Sequence, residues 1–324
     1  MPYPILDADR TAARLPYGAL ADAIEQVLRD RQAGGLRLAE RTVLPLRDGT
    51  LLTMPASDDR LTITKLVTVH PGNAAKGLPT IQGEVMVARA DDGTRLALLH
   101  GGTVTMRRTA ALSLLAVRAL RRGREAVVSR GPLLVFGAGD QARAHAEAFT
   151  TEFGIQSVRI VSRTRDRAER VAADLRERGI EAGVLATIDP AGDGDRLPDE
   201  VARALAEAPV IVTATTSSSP VVRGATRDDA VIVAVGAYRP DMAELSPETI
   251  RDAGLVVVDT LEGARAEAGD LIQAVEAGAW SWSRARTLLD VLDSPPTLAG
   301  TRVFKSVGHA MYDLAAARVA FAQV

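Results

Sequence analysis

Cysteine is absent from the 324 residues, which excludes disulfides, thiolate metal sites and a cysteine nucleophile together. Histidine is scarce. His70, His100, His145 and His309 lie far apart, with no His-x-x-x-His spacing, so no metal site is expected. Neither sign of charge dominates: 39 Lys plus Arg face 41 Asp plus Glu, a formal net charge of -2. A balanced surface has no general attraction for nucleic acid or an anionic membrane. No apolar run approaches the roughly 18–20 residues that span a bilayer. The opening MPYPILDADR lacks a basic start followed by an apolar core, so it does not read as a signal peptide. The expectation is a cytoplasmic protein that binds neither nucleic acid nor membrane.

The fractions of hydrophobic residues, 47%, and charged residues, 25%, are those of an ordinary globular protein, and the length suffices for two domains with sizeable cores. The chain is organised around Leu133–His145, LLVFGAGDQARAH. A short apolar strand runs into Gly137-Ala138-Gly139-Asp140-Gln141-Ala142, and a helix-compatible run follows. Gly137 permits a tight turn, Gly139 lets backbone approach a pyrophosphate, and small Ala142 stands where the helix packs on the strand. The helix N-terminus would present free N–H groups to phosphates. Further apolar runs at Val158–Val161, Ala182–Thr187, Val210–Thr215, Val231–Val235 and Leu255–Asp259 alternate with helical stretches. Six strands alternating with helices predict a doubly wound parallel sheet.

At the end of the second of these strands stands Ser162-Arg163-Thr164-Arg165, where an NAD-preferring site carries a carboxylate for the ribose hydroxyls. Either these arginines sit on an ordinary exposed loop or they receive a 2′-phosphate. The second reading makes NADPH the expected cofactor, with NADH as the alternative. The loops Thr213–Pro220, which includes Thr215, and Val235–Asp241, which includes Gly236, follow later strands and are expected to face the same crevice.

The first hundred residues read differently. Tyr17–Arg31 has one apolar face at helical spacing. Arg41–Leu46 and Thr50–Pro55 form a strand pair turning at Asp48-Gly49, and Ile81–Ala90 and Arg95–His100 form a second hairpin. Leu61–Val69 alternates so that Leu61, Ile63, Lys65, Val67 and Val69 share one face. Lys65 either snorkels to water along its stem or aims an ammonium at an anion. A helix runs to about Leu120, with Thr105 as the expected N-cap and Arg107 and Arg108 in its first turn, an arrangement suited to an anion. Helical geometry does not say which arginine is used. Arg121-Arg122-Gly123-Arg124 reads as an exposed linker, and Arg302–Gly308 precedes a closing helix from about His309 to Phe321.

Taken together, Lys65-Leu66-Val67 with Pro71-Gly72-Asn73, Leu78-Pro79-Thr80, Arg108-Thr109-Ala110-Ala111, the Gly137–Ala142 turn, Val235-Gly236, Pro240-Asp241 with Glu244-Leu245, and Phe304-Lys305-Ser306-Val307-Gly308 resemble the ornithine cyclodeaminase/mu-crystallin family. The pieces span nearly the whole chain in the family's order. The resemblance implies an α/β protein with a Rossmann-type doubly wound sheet over 121–295, and a mixed α+β substrate-binding and dimerisation domain from 1–120 with 296–324. It implies a homodimer acting on a small imino or amino acid. Arg41, Lys65, Thr80 and Arg108 would bind substrate, with Lys65 and Arg108 catalytic. Gly137, Gly139, Asp140, Gln141, Ala142, Ser162, Arg163, Thr164, Thr215, Val235, Gly236 and Lys305 would bind cofactor.

Within the family, the runs Gly77–Gly83 and Thr103–Leu115 are most similar to reductases of the cyclic ketimines Δ1-pyrroline-2-carboxylate and Δ1-piperideine-2-carboxylate, which form proline and pipecolate. The alternatives are ornithine cyclodeaminase or an alanine-type amino-acid dehydrogenase, and a non-catalytic NADPH-dependent binding protein. Cyclodeaminases carry an aspartate shortly after the Val-Gly pair, and the aligned position here is Tyr238.

Overall fold

The computed structural model describes residues 3–123, 126–190, 197–296 and 300–323. Arg124 of the expected linker lies outside them. The chain forms two compact units, Met1–Leu115 with His309–Val324, and Ala116–Gly308. The long helix Gly101–Leu120 runs through the first boundary.

In the first unit a sheet forms from β1 (Ile5–Leu6), β2 (Arg37–Leu38), β3 (Thr42–Leu46), β4 (Gly49–Ser57), β5 (Leu61–Val69), β6 (Ile81–Arg89) and β7 (Arg95–His100). Among the described residues its order is β1-β7-β6-β5-β4-β2, with β3 also paired to β4. All pairs but β1 with β7 are antiparallel, as two-residue and short loops require. The β3–β4 turn occupies Arg47 and Asp48, one residue earlier than expected, because Leu46 pairs with Gly49. Gly49 answers a different need: a Cβ there would collide with the Val69 carbonyl oxygen.

The alternation in β5 is as anticipated, with Leu61, Ile63, Lys65 and Val67 buried. The helix Ala310–Ala320 packs against β4, β5 and the helix Tyr17–Gln32. Arg318 fastens it, with Nη1 2.6 Å from Asp30 Oδ2 and Nε 2.7 Å from Asp58 Oδ2.

The second unit holds β8 (Leu133–Phe136), β9 (Ser157–Ser162), β10 (Glu181–Thr187), β11 (Val210–Thr213), β12 (Val231–Ala234), β13 (Leu255–Val258), β14 (Ala285–Thr287) and β15 (Arg302–Lys305). Among the described residues these form one parallel sheet in the order β10-β9-β8-β11-β12-β15-β13-β14. Every residue of β8, β11 and β12 is buried, the condition of a sheet covered on both faces. This is the Rossmann-type architecture the six apolar runs predicted.

Two strands escaped the pattern. β15 carries a cation at each end, Arg302 and Lys305, and lacks an apolar run long enough to read. It nevertheless inserts between β12 and β13, so the chain returns to the first unit after Gly308 rather than near residue 296. Arg121 is likewise no exposed linker residue. It is fully buried, with Nη1 2.9 Å from Asp229 Oδ2 and Nη2 donating to the Pro209 carbonyl at 3.0 Å. Among the described residues, no helix is long and apolar enough to cross a membrane.

The helix Asp140–Phe153 buries His145 completely. Its Nδ1 lies 2.7 Å from the Gln141 carbonyl oxygen, and burial depresses its pKa to about 4. The unfolded chain binds the proton near pH 6.5 and the folded chain does not, so stability is full above 6.5 and falls as pH drops toward 4. The expected loss for this one group by pH 4.5 is roughly 2–3 kcal/mol. Urea unfolding of His145→Phe beside the wild type at pH 7 and pH 4.5 checks it: the variant should lose correspondingly less.

Candidate active site

The glycine turn behaves as two different requirements. Gly137 has φ +119° and a Cβ there would collide with the Ala214 carbonyl oxygen, so it serves the close approach of the turn to the end of β11. At Gly139 nothing lies within 4 Å of an added Cβ. No protein atom demands glycine there, and the space a side chain would fill is open. Gly139 is also the N-cap of Asp140–Phe153 and makes no side-chain cap, so the first N–H groups of a fourteen-residue helix stay available to an anion.

A cleft of about 200 Å³ opens at this turn. Gly137, Gly139, Ser162, Arg163, Thr164 and Thr215 line it, together with Ala138, Arg167, Thr216 and Ser217. Arg163 and Arg167 approach it from the end of β9 and from the helix Arg165–Glu177. Glu169 pairs with the neighbouring Arg165 at 3.6 Å and with Arg176 at 3.7 Å. No ion pair forms to Arg163 or Arg167 among the described residues. Arg167 was not foreseen, although its four-residue offset from Arg163 was a readable signal.

The other expected cofactor residues stand elsewhere. Asp140 and Gln141 open the helix beside the cleft and Ala142 is fully buried against the sheet. Val235 donates its N–H to the Thr213 carbonyl at 3.0 Å. Gly236 and Lys305 face a buried carboxylate network instead of the cleft. A Cβ at Gly236 would collide with Glu244 Oε1, and Lys305 Nζ lies 2.6 Å from Asp270 Oδ2 with both side chains fully buried. The residues around the cleft fit a dinucleotide: a glycine kept open, uncapped N–H groups, and two arginines at the far end.

In the first unit, Lys65 is 5% exposed, so it does not snorkel. Its Nζ lies 3.3 and 3.4 Å from the two oxygens of Asp313, in the helix Ala310–Ala320. Arg108 Nε approaches the same carboxylate at 3.5 Å. Arg41 stands one residue before β3, and its charge reaches Lys65.

Desolvation lowers the Lys65 pKa to about 8, with Asp313 opposing and Arg108 and Arg41 assisting. Two cations on one carboxylate leave the trio with a net positive charge. The contacts are also longer than the ~2.7–2.9 Å of a saturated charge-assisted bond. Arg108 Nε is buried without a hydrogen-bond partner. The arrangement can accept another carboxylate.

Arg107 has a separate role. Its Nε donates to the Leu15 carbonyl at 2.7 Å and its guanidinium lies 3.9 Å from the centre of the Tyr17 ring. Neither arginine is in the first helical turn, because the helix begins at Gly101. His100 Nδ1 accepts from the Thr103 N–H at 3.1 Å, and Thr105 bonds back to the Gly101 carbonyl at 2.8 Å instead of capping. Thr80 ends the loop before β6, in line with His70, five strand residues or roughly 17 Å from the Lys65 pairing position. Among the described residues no hydrogen bond joins the Thr80 side chain to the cation cluster. Asp313 was missed, although a lone acid in the alanine-rich helical run was its signal.

A parallel sheet with a glycine turn, an uncapped helix and unpaired arginines around one cleft, joined to a unit with a buried cation cluster, defines a Rossmann-type dinucleotide-binding protein of the two-unit kind. Residues 5–324 match the ornithine cyclodeaminase/mu-crystallin family, and the chain belongs to it. A Δ1-pyrroline-2-carboxylate reductase 1 of Burkholderia multivorans is 42% identical over 98% of this chain and 94% of its own. A Δ1-pyrroline-2-carboxylate/Δ1-piperideine-2-carboxylate reductase of Azospirillum brasilense is 40% identical over 98% and 95%. The structure of Thermococcus litoralis Δ1-pyrroline-2-carboxylate reductase, in complex with NADH and L-proline, has a TM-score of 0.81 at 25% identity and covers 99% of this chain and 97% of its own.

The electrostatics of the cluster give a direct expectation. Asp313 raises the Lys65 pKa against desolvation, so Asp313→Asn should move it below about 8. Lys65 acylation by acetic anhydride, followed by mass spectrometry across pH 6–10, reads the midpoint. The variant's midpoint should lie at lower pH than that of the wild type.

Proposed function

We propose that this protein reduces a cyclic ketimine carboxylate, Δ1-pyrroline-2-carboxylate or Δ1-piperideine-2-carboxylate, to L-proline or L-pipecolate with a nicotinamide dinucleotide, NADPH before NADH. The observation that carries the reading is the buried meeting of Lys65 and Arg108 on Asp313 with Arg41 nearby. Such a site prefers a small anion, and it holds a proton donor beside it. The 40% and 42% identities over nearly the full length of reductases for these imines support the substrate class.

The dinucleotide, when bound, supplies the hydride. Arg108 and Arg41 hold the substrate carboxylate and so fix the imine carbon for attack, a positioning effect able to supply much of the rate. Lys65 donates a proton to the imine nitrogen as the hydride adds to carbon, converting C=N into CH–NH with charge balanced. A pKa of about 8 suits this task, since Lys65 is mostly protonated at neutral pH yet a stronger acid than ordinary lysine. Asp313 keeps the ammonium in place and partly protonated. Arg163 and Arg167 receive the 2′-phosphate that distinguishes NADPH. Tyr238 stands where the cyclodeaminases carry their aspartate, which favours reduction over ammonia release.

The reading is tested by the fall in 340 nm absorbance when protein, either imine and NADPH or NADH are mixed. Rapid oxidation is expected. None with either cofactor, or ammonia released from ornithine, would overturn the reading. Lys65→Met should lower kcat by roughly 10²-fold or more while leaving dinucleotide affinity unchanged, and Arg108→Ala should act chiefly on KM. Because Lys65 must be protonated, kcat/KM should fall as pH rises through about 8. A bound substrate carboxylate raises the Lys65 pKa, so the alkaline fall of kcat should sit at higher pH. Replacing both Arg163 and Arg167 by Ala should reduce the preference for NADPH about tenfold or more, with NADH kinetics little altered.

A homodimer is proposed as well. On the sheet face opposite Lys65, Leu44 and Leu66 are exposed with Leu46 beside them, and such an apolar area suits a second copy of the chain. Light scattering should give twice the 34.2 kDa chain mass, and Leu66→Glu should shift it toward one.

A further inference from the structure

Among the ionisable groups that the second unit buries and the proposed chemistry does not use, three are linked to one another. Glu244, Asp270 and Lys305 are each no more than 1% exposed. Glu244 lies between the ends of two neighbouring central strands. Its Oε2 accepts from Thr213 Oγ1 at 2.9 Å and from the N–H groups of Gly236 and Ala237 at 2.6 and 3.3 Å. Its Oε1 accepts from the N–H and the hydroxyl of Thr215 at 2.7 and 2.9 Å. One carboxylate thus gathers five donors from the end of β11 and the segments that follow β11 and β12.

The carboxylate is itself held. Asp270 Oδ1 accepts from the N–H groups of Glu244 and Leu245 at 2.5 and 2.8 Å, and Asp270 Oδ2 meets Lys305 Nζ at the end of β15. Two glycines make room for this assembly. A Cβ at Gly236 would strike Glu244 Oε1 and the Thr215 backbone, and one at Gly269 would strike the Met242 carbonyl oxygen. Burying charge so thoroughly costs stability unless each group is paired and bonded. Here every donor from the β11 and β12 ends faces a fixed acceptor.

Thr215 is the point of contact with function. It lines the cleft beside Gly137, and its backbone and side chain both end on Glu244. We propose that Glu244, locked by Asp270 and Lys305, is a positioning residue for the dinucleotide, setting the wall of the cleft formed by the Thr215 segment. Lys305 therefore acts on the cofactor through Asp270 and Glu244, not by contact. This rests on the reading that the cleft binds a nicotinamide dinucleotide.

Glu244→Gln keeps the size of the side chain but turns an NH2 toward N–H groups that need an acceptor. Asp270→Asn keeps the bonds to Glu244 and Leu245 and weakens the hold on Lys305 from a position away from the cleft. NADPH and NADH dissociation constants, measured by titration calorimetry on the full chain, should rise tenfold or more for Glu244→Gln and several-fold for Asp270→Asn. At saturating dinucleotide, kcat should stay within about threefold of wild type. Folded variants that bind within twofold of wild type, even with a lowered Tm, would overturn the proposal and leave the network a purely structural one. If Glu244→Gln does not fold, Asp270→Asn decides by the same criterion. A wild type that binds neither dinucleotide removes this proposal together with the functional reading.

Discussion

The pairing of buried charge governs both units. An isolated ion in a protein interior is so costly that it must find a counter-ion and hydrogen bonds or else neutralise. In the first unit that constraint ties three elements together: Lys65 from a central strand, Arg108 from the long helix and Asp313 from the closing helix. In the second it ties Glu244, Asp270 and Lys305 across three strand ends. Removing one member of either set leaves a buried charge uncompensated, which is far worse than deleting the set.

The two networks differ in the carboxylate at their centre. Glu244 has its acceptor capacity engaged by four contacts of 2.6–2.9 Å and a fifth at 3.3 Å. The Asp313 trio keeps long contacts, an unused Arg108 donor and excess positive charge. Few, long contacts leave cations able to take up a further anion, whereas a carboxylate surrounded by N–H groups holds backbone still. A lowered Lys65 pKa follows from the same arrangement, because burial and two neighbouring cations act against a single carboxylate.

Much of the architecture was legible because it depends on local periodicity. The apolar runs at β8 to β13 announced a covered parallel sheet, and the alternation in β5 placed Lys65 on its inner face. β15 was illegible for a physical reason: its four residues include two cations, whose burial makes sense only once Asp270 and the neighbouring strands are in place. Arg121 misled in the same way, since a basic cluster before a domain reads as solvated until Asp229 is brought beside it. Thr105 failed as a cap because the helix already begins at Gly101, and His100, five residues before Thr105, offers its ring nitrogen to the first turn.

The glycines show the limit most clearly. Gly139 and Gly236 both stand after parallel strands in motifs of the family, yet one leaves open space at the cleft and the other makes room for Glu244. By itself the sequence determined the family, the alternating strand and helix order, the glycine turn after β8 and the presence of Lys65 on an apolar face, because each of these is written in neighbouring residues. Only the tertiary structure decided that Asp313 is the shared partner of Lys65 and Arg108, that β15 lies inside the sheet and that Lys305 serves a carboxylate. Those outcomes are compensations of charge between residues far apart in the chain, 248 positions in the case of Lys65 and Asp313, and no local pattern encodes them.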